Sequence, residues 1–180
     1  MDYFIMETDK RLRRLPQIQL HRELFGTGTM KTSIIYVKEH SGLNIDYADF
    51  LEKPGPLIAD KFQKILQKYQ RNMEFHRVML TEKEAGHQKP YFLMIPQELM
   101  CADKEESEYD TRGNVQNFVL DVEKVGRRAI FLAKDFNRRL IVRLDVAESI
   151  LRREANGIWF EPVKVSGRSK QNAETGKKRN

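Results

Sequence analysis

The chain has 180 residues, 40% of them hydrophobic, and a formal net charge of +6 at pH 7. This length allows one domain with a proper hydrophobic core, and the single cysteine, Cys101, cannot form an internal disulfide. There is no run of about 18 apolar residues, and the basic residues near the start follow a very short apolar stretch, the reverse of a signal peptide. We therefore expect a cytoplasmic protein that does not enter a membrane.

The positive charge is concentrated at the C-terminal end. Residues 164–180 contain six basic residues and one acidic residue, which leaves a net charge of only +1 for residues 1–163. The end segment is rich in Ser, Gly, Asn and Lys and lacks the apolar residues that would order it. We therefore predict a single α+β domain over residues 1–163 and a basic, disordered tail over residues 164–180.

The first part of the chain contains short strand patterns separated by turns. Residues 2–7 and 33–37 are predicted strands, and residues 43–52 are a third candidate. The glycine-containing turn over residues 25–32 resembles a phosphate-binding loop only superficially, because a methionine precedes its lysine where that motif requires glycine. A hairpin turn is the better interpretation.

An amphipathic helix is predicted over about residues 57–69. Pro56 suits its first turn, where the missing backbone N–H would be unpaired anyway. Apolar residues recur at helical spacing along one face, and we interpret this stripe as core. The stripe consists of Ile58, Phe62, Ile65, Leu66 and Tyr69. Two apolar runs follow, at 75–80 and 91–95, and the turn-rich loop between them predicts an antiparallel pair of strands.

The central part of the chain holds an acidic loop and further strands. Residues 103–110 contain five acidic residues and one lysine, which is typical of a solvated loop but also suits a basic partner surface. Strands are predicted over residues 115–120 and 129–132, with one helical turn at 121–125. No metal site is predicted, because the histidines are scattered without a second ligand at metal spacing. The histidines are His21, His40, His76 and His87.

Residues 139–163 show the most consistent local signals, which predict a strand, a helix and a strand. The run Leu140 to Val142 is apolar and β-branched, as a buried strand requires. Gly157 is predicted to end the helix. Pro162 lacks a backbone donor, so we expect the closing strand to lie at a sheet edge.

The helix in this segment is predicted over about residues 145–155. Asp145 is expected to cap its first turn, and Glu148, three residues later, is expected to reach back to the cap residue. The apolar face includes Ile150 and Leu151. On this interpretation Leu151→Asp should damage the fold.

The order of these elements predicts the fold class. Short strands outnumber helices and do not alternate with them as in a parallel βαβ fold. We therefore expect an α+β domain with a mostly antiparallel sheet and two main helices, at about 57–69 and 145–155.

Three segments share a pattern with known proteins. They are PLIADKFQKILQKY, then YFLMIP followed by Cys101-Ala102-Asp103 and Ser107, then LIVRLDVAESILRREANGIWFEPV. Together they resemble a bacterial immunity-protein family of polymorphic toxin systems, over about residues 43–163. The resemblance implies a small cytoplasmic protein, encoded with a toxin, that neutralises this cognate toxin by occluding its active surface. It implies no cofactor and assigns no catalytic residue.

The acidic loop is the candidate toxin-binding surface. Many toxins in such systems act on nucleic acid or nucleotides and would present basic clefts, which acidic side chains could enter and block. The predicted partner-binding residues are Asp103, Glu105, Glu106, Glu108 and Asp110.

Two other classes of function remain open from the sequence. A nucleic-acid-associated accessory protein would use the basic tail for weak, salt-dependent binding without sequence preference. A hydrolase would use Cys101 or Ser107 with a histidine and an acid such as Asp103. The sequence leaves the oligomeric state open.

Overall fold

The computed structural model describes residues 1–26, 32–37 and 44–166. The α-helices in these ranges are α1 (Asp60–Tyr69), α2 (Val122–Val125) and α3 (Leu144–Leu151), and a 3₁₀ helix spans Arg22–Phe25. None of the described helices is long and apolar enough to cross a membrane. The strands are β1 (Tyr3–Thr8), β2 (Ser33–Val37), β3 (Phe50–Leu51), β4 (Leu57–Ala59), β5 (Glu74–Glu82), β6 (Gln88–Ile95), β7 (Glu98–Leu99), β8 (Glu108–Tyr109), β9 (Val115–Asn117), β10 (Val119–Leu120), β11 (Ile130–Ala133), β12 (Arg139–Arg143), β13 (Ile158–Pro162) and β14 (Lys164–Val165).

Two five-stranded sheets form the frame of the domain. The first sheet has the order β13-β1-β12-β11-β7, and the second has the order β2-β5-β6-β4-β3. Most strand pairs are antiparallel, whereas β2–β5, β7–β11 and β10–β14 are parallel. The predicted α+β class, with mostly antiparallel pairing and two main helices, is confirmed.

The two main helices join the two sheets in one core cluster. α1 contributes Phe62 and Leu66, and α3 contributes Val146 and Ile150, to a cluster that also contains side chains of both sheets. All four side chains are almost completely buried. Burial of this kind stabilises by roughly 1.5–3 kcal/mol for each large aliphatic or aromatic side chain.

The strand β12 shows why its sequence is continuously apolar. Leu140 and Val142 enter the cluster between the sheets, whereas Ile141 enters a second cluster on the other face of the first sheet. A strand buried on both faces has no polar side, so the alternation seen in half-buried strands is absent. The strand, helix and strand predicted for residues 139–163 are all present, and β13 lies at the sheet edge as Pro162 predicts.

Other predicted elements match the structure closely. The first two predicted strands are β1 and β2, and the apolar runs on either side of the turn-rich loop are the antiparallel strands β5 and β6. The predicted helical turn is α2, and the Asp121 side chain accepts hydrogen bonds from the backbone N–H groups of Glu123 and Lys124. These elements have complete local signals, which explains the agreement.

The predicted start of the first helix is wrong by three residues. Leu57–Ala59 forms β4, which pairs with both β3 and β6, and the helix begins at Asp60. Non-local strand pairing therefore takes the apolar residues that helical periodicity assigned to the first turn. The candidate strand over residues 43–52 is also shorter than predicted, since within residues 44–52 only Phe50–Leu51 is a strand.

The predicted capping box of the second helix is wrong. α3 begins at Leu144, so Asp145 lies inside its first turn and the N-cap position is Arg143, which makes no side-chain cap. The Asp145 carboxylate instead accepts hydrogen bonds of 2.8 and 2.7 Å from the Arg143 guanidinium. Glu148 pairs with Arg152 at 3.0 Å. α3 ends at Leu151, four residues before the predicted end.

Leu151 is exposed, which contradicts the predicted effect of its replacement. Its relative exposure is 56%, whereas the neighbouring Ile150 is 0% exposed. The shorter helix explains this, because the chain turns away directly after Leu151 and leaves no packed surface beside it.

We expect Ile150→Asp to unfold the domain or lower its free energy of unfolding by about 3 kcal/mol or more, because a carboxyl group would be buried without a partner. Leu151→Asp should change this free energy by only about 0.5 kcal/mol. Urea denaturation of both variants measures the difference. Equal losses in the two variants would contradict the position of α3.

The described chain continues slightly beyond the predicted domain boundary. β14 pairs in parallel with β10 and buries Val165, two residues past position 163. Residues 167–180, which hold five of the six basic residues of the predicted tail, lie outside the described residues. The disordered tail and its weak, non-specific nucleic-acid binding therefore stay predictions. Part of the predicted turn over residues 25–32 and His40 also lie outside the described residues.

Candidate partner-binding surface

The acidic loop begins on a segment that is fixed to the second core cluster. Cys101 is completely buried, and its backbone oxygen accepts a hydrogen bond from the Asp121 N–H at 2.9 Å. The Ala102 N–H donates to the Asp135 carboxylate at 2.8 Å, and Ala102 also forms a bridge with Leu120. Residues 103–110, called the acidic turn below, therefore start from a rigid base.

Asp103 stabilises the first half of the acidic turn. One oxygen of its carboxylate accepts hydrogen bonds from the N–H groups of Glu105 at 2.9 Å and Glu106 at 3.0 Å. The backbone hydrogen bonds from Glu106 and Glu105 are the main reasons that the pKa of Asp103 is lowered, and Ser166 adds a further hydrogen bond. Asp103 is thus occupied in holding the turn.

Asp110 has the same kind of role at the other end. Its carboxylate accepts hydrogen bonds from the Arg112 N–H and the Asn114 N–H, both at 2.8 Å, and from the Asn114 side-chain amide at 3.0 Å. The hydrogen bond with the Asn114 side chain is the largest cause of its lowered pKa. These contacts close the turn between the paired strands β8 and β9. Side-chain hydrogen bonds of Asp to nearby backbone are a common way to fix such turns.

Two of the three glutamates of the acidic turn are more exposed than its two aspartates. Glu105 and Glu108 are exposed, whereas Glu106 is partly buried and lies 3.9 Å from the Lys164 ammonium. Glu108 contacts the side-chain amide of Asn117. The structure thus brings all five predicted residues together on one fixed segment. Their partner-binding role stays a prediction, and the geometry concentrates it on Glu105 and Glu108.

Tyr109 is a residue of this surface that the sequence reasoning missed. Its side chain is 44% exposed between the acidic residues of the turn. Tyr is enriched where protein surfaces meet, because one ring end is apolar and the other can form hydrogen bonds. An aromatic residue inside a charged loop was the available signal.

Cys101 and Ser107, the candidate nucleophiles, both have structural positions. The Cys101 thiol is buried, and burial, with a smaller contribution from Asp135, raises its pKa to about 12. The Ser107 hydroxyl donates to the Val119 backbone oxygen at 3.2 Å and accepts from the Val119 N–H at 3.1 Å. Within the described ranges, no histidine forms a hydrogen bond with either side chain. A nucleophile needs a lowered pKa or an adjacent base.

We expect the Cys101 thiol to be unreactive in the folded protein. At pH 8 a thiol reagent should label it only after denaturation, because burial raises its pKa and blocks access. Because the pKa of this thiol is higher in the folded than in the unfolded state, the unfolded chain loses the proton first as the pH rises. The free energy of unfolding should therefore fall between about pH 9 and pH 12. Mass spectrometry after timed labelling, and denaturation at several pH values, measure both effects. Rapid labelling of the native protein would revive the hydrolase interpretation.

The negative charge of the aspartates near Cys101 is partly balanced by the ammonium group of Lys124. The Lys124 ammonium lies 3.1 Å from the Asp121 carboxylate and donates to the Ala102 backbone oxygen at 2.8 Å. The hydrogen bond with Asp121 is the first cause of the raised pKa of Lys124, and Asp103 and Asp135 contribute. No group of three or more His, Cys, Asp and Glu side chains that could hold a metal ion occurs in the part of the chain that the structure describes.

The protein is an α+β domain with an exposed acidic turn that is held in shape by its own hydrogen bonds. The candidate nucleophiles Cys101 and Ser107 are buried and have structural roles. A family model identifies the domain more closely: residues 8–165 match the Immunity protein family (Imm11), and the chain belongs to that family. The match confirms the resemblance predicted over residues 43–163 and extends it to residues 8–165, from the last residue of β1 to the end of β14. An immunity-protein role follows from this membership. No curated protein matches the chain.

Proposed function

We propose that this chain binds a cognate bacterial toxin and neutralises it by covering the toxin's active surface, without catalysis. The observation that carries the proposal is the family match over residues 8–165. The positions of Cys101 and Ser107 support a binding mode, since both side chains are used for packing or backbone hydrogen bonds. The buried free thiol also suits the reducing cytoplasm, where we place the protein.

The acidic turn is the proposed toxin-facing surface. Glu105 and Glu108 present two exposed carboxylates on a segment that Asp103 and Asp110 already hold in shape. A preformed segment loses little conformational entropy when it binds, so more of the contact energy becomes affinity. Charge of one sign also attracts a basic cleft over about 8 Å at physiological salt, which accelerates encounter.

We expect Glu105→Lys/Glu108→Lys to slow association with the proposed cognate toxin by about tenfold or more at low salt. Glu106 is left unchanged because it lies near Lys164, and a lysine there would add repulsion inside the fold. Stopped-flow association at several salt concentrations measures the rate and its salt dependence. Growth of cells that express the toxin with each variant measures protection.

A matched control is Glu154→Lys/Glu161→Lys, which makes the same charge change at two exposed positions outside the acidic turn. This variant should associate at nearly the wild-type rate. If both double variants lose the same amount, net charge rather than this surface governs association. A wild-type rate and full protection in Glu105→Lys/Glu108→Lys would show that the toxin binds elsewhere.

A further inference from the structure

A second charged surface lies on residues that the acidic turn does not use. A cavity of about 440 Å³ opens between the turn that follows α1 and the turn that follows α2. Three of its six lining residues are arginines, and none is acidic. The residues of this arginine cavity are Tyr69, Gln70, Arg71, Asn72, Arg127 and Arg128.

The three guanidinium groups lack carboxylate partners within the described residues. Arg71 and Arg127 are exposed, and neither side chain takes part in an ion pair or hydrogen bond there. Arg128 donates to the side-chain oxygen of Gln97 at 2.8 Å and to the Val125 backbone oxygen at 2.9 Å, which are both neutral acceptors. The cavity therefore concentrates positive charge in a body whose net charge is close to zero.

Neighbouring charges do not cancel this charge. Asp145 is held by Arg143 through two hydrogen bonds, which lower the pKa of the carboxyl, and Arg143 also donates to the Arg127 backbone oxygen at 3.3 Å. Arg71 follows the C-terminal end of α1, where the helix dipole favours one cation. Arg127 and Arg128 have no carboxylate partner among the described residues, and the Arg128 guanidinium is bound only by neutral acceptors.

The backbone around the cavity is held in place before any ligand arrives. The Gln67 side-chain amide donates to the Arg71 backbone oxygen at 2.8 Å and to the Met73 backbone oxygen at 3.1 Å, and Met73 is buried. On the other side, the Gly126 N–H donates to the Val122 oxygen at 2.9 Å, with Gly126 at φ +62°. Preformed turns reduce the entropy cost of binding.

We propose that the arginine cavity binds a small ligand through a phosphate or pyrophosphate group. Guanidinium groups offer paired N–H donors that match phosphate oxygens, and a doubly charged anion compensates several of them at once. The arginine cavity is a shallow depression of about 440 Å³ that is largely open to solvent, so a phosphate group can contact the arginines while the rest of the ligand remains in water. The arginine cavity shares no residue with the acidic turn.

Titration of the full-length ¹⁵N-labelled chain with pyrophosphate tests the proposal. The signals that should shift in a saturable way are the Arg128 Nε–H and the backbone amides of residues 70–72 and 126–128. Malonate, a dicarboxylate of similar size, should bind at least several-fold more weakly. Shifts confined to residues after 166, no saturable shift, or equal binding of malonate would overturn the proposal.

Affinity measurements on variants give the second readout. Arg71→Gln/Arg127→Gln should weaken pyrophosphate binding by about tenfold or more, because two charge-assisted contacts are lost. Arg13→Gln/Arg112→Gln removes the same charge at exposed positions outside the cavity and keeps residues 164–180, so its affinity should fall less than about twofold. Equal weakening in both variants would show only general attraction to a basic chain.

Discussion

Replacing Arg139 by methionine should lower the free energy of unfolding by about 3–5 kcal/mol, because a buried carboxylate would lose its main partner. The Glu7 side chain is 0% exposed, and one of its oxygens contacts the Arg139 guanidinium. The same guanidinium lies 3.3 Å from Glu52, and Lys10 lies 3.0 Å from the other Glu7 oxygen. These ion pairs connect the first strand with β12 and with the end of β3.

Chemical denaturation of Arg139→Met against Arg138→Met measures this effect. Arg138 is 60% exposed and pairs with Glu98 at 2.7 Å, so its replacement should cost at most about 1 kcal/mol. Adding Glu7→Gln to Arg139→Met should recover part of the loss, since a neutral amide costs less to bury than a charge. Equal losses for the two arginines, or no recovery in the double variant, would contradict the buried ion pair.

Gly157→Ala should lower the free energy of unfolding by about 3 kcal/mol, because a β-carbon there has no space and an unfavourable backbone conformation. Gly157 has φ +69°, and an added Cβ would lie 2.7 Å from Ala48 Cβ and 2.7 Å from Leu12 Cδ1. Its backbone oxygen accepts a hydrogen bond from the Asp9 N–H at 3.0 Å. The chain after α3 is therefore pressed against the segment before β3.

Gly86→Ala is a control that separates the effect of the close contacts at Gly157 from the effect of its backbone conformation. Gly86 also has φ +69°, but nothing lies within 4 Å of an added Cβ. Its replacement should cost only the conformational penalty, about 1 kcal/mol. Thermal or urea unfolding of both variants gives the difference. If the two alanine variants lose the same free energy of unfolding, then the close packing of Gly157 against Ala48 is wrong.

The sequence predicts those elements whose signals are local. The strand, helix and strand over residues 139–163 are found because an apolar run, a helical stripe and a proline occur in order. The prediction that Gly157 ends the helix is wrong, because α3 ends at Leu151 with Arg152 at its C-cap position. The stripe of α1 also locates Phe62 and Leu66 in the core correctly. Periodicity of this kind depends only on residues close in the chain.

Non-local pairing is what the sequence could not show. Leu57–Ala59 becomes a strand because β6, more than thirty residues later, is available to pair with it. The same reason applies to the parallel pair of β2 with β5. An apolar run of three residues fits a helix or a strand equally well until its neighbours are known.

The sequence predicted which acidic residues form the candidate surface, but not which of them are exposed. The sequence shows five acidic residues, whereas only the structure separates Asp103 and Asp110, which fix backbone turns, from the exposed Glu105 and Glu108. The arginine cavity left no local signal, because Arg71 and Arg127 are distant in the chain and meet only through the fold.

The most direct measurement of the proposed function is a titration of the proposed cognate toxin with the full-length chain. Occlusion predicts that toxin activity falls in proportion to the added chain, reaches zero near one chain per toxin, and returns when the complex dissociates. Unchanged toxin activity in the presence of excess chain would contradict the proposed function. So would inactivation that proceeds with time at far less than one chain per toxin, since that result requires catalysis.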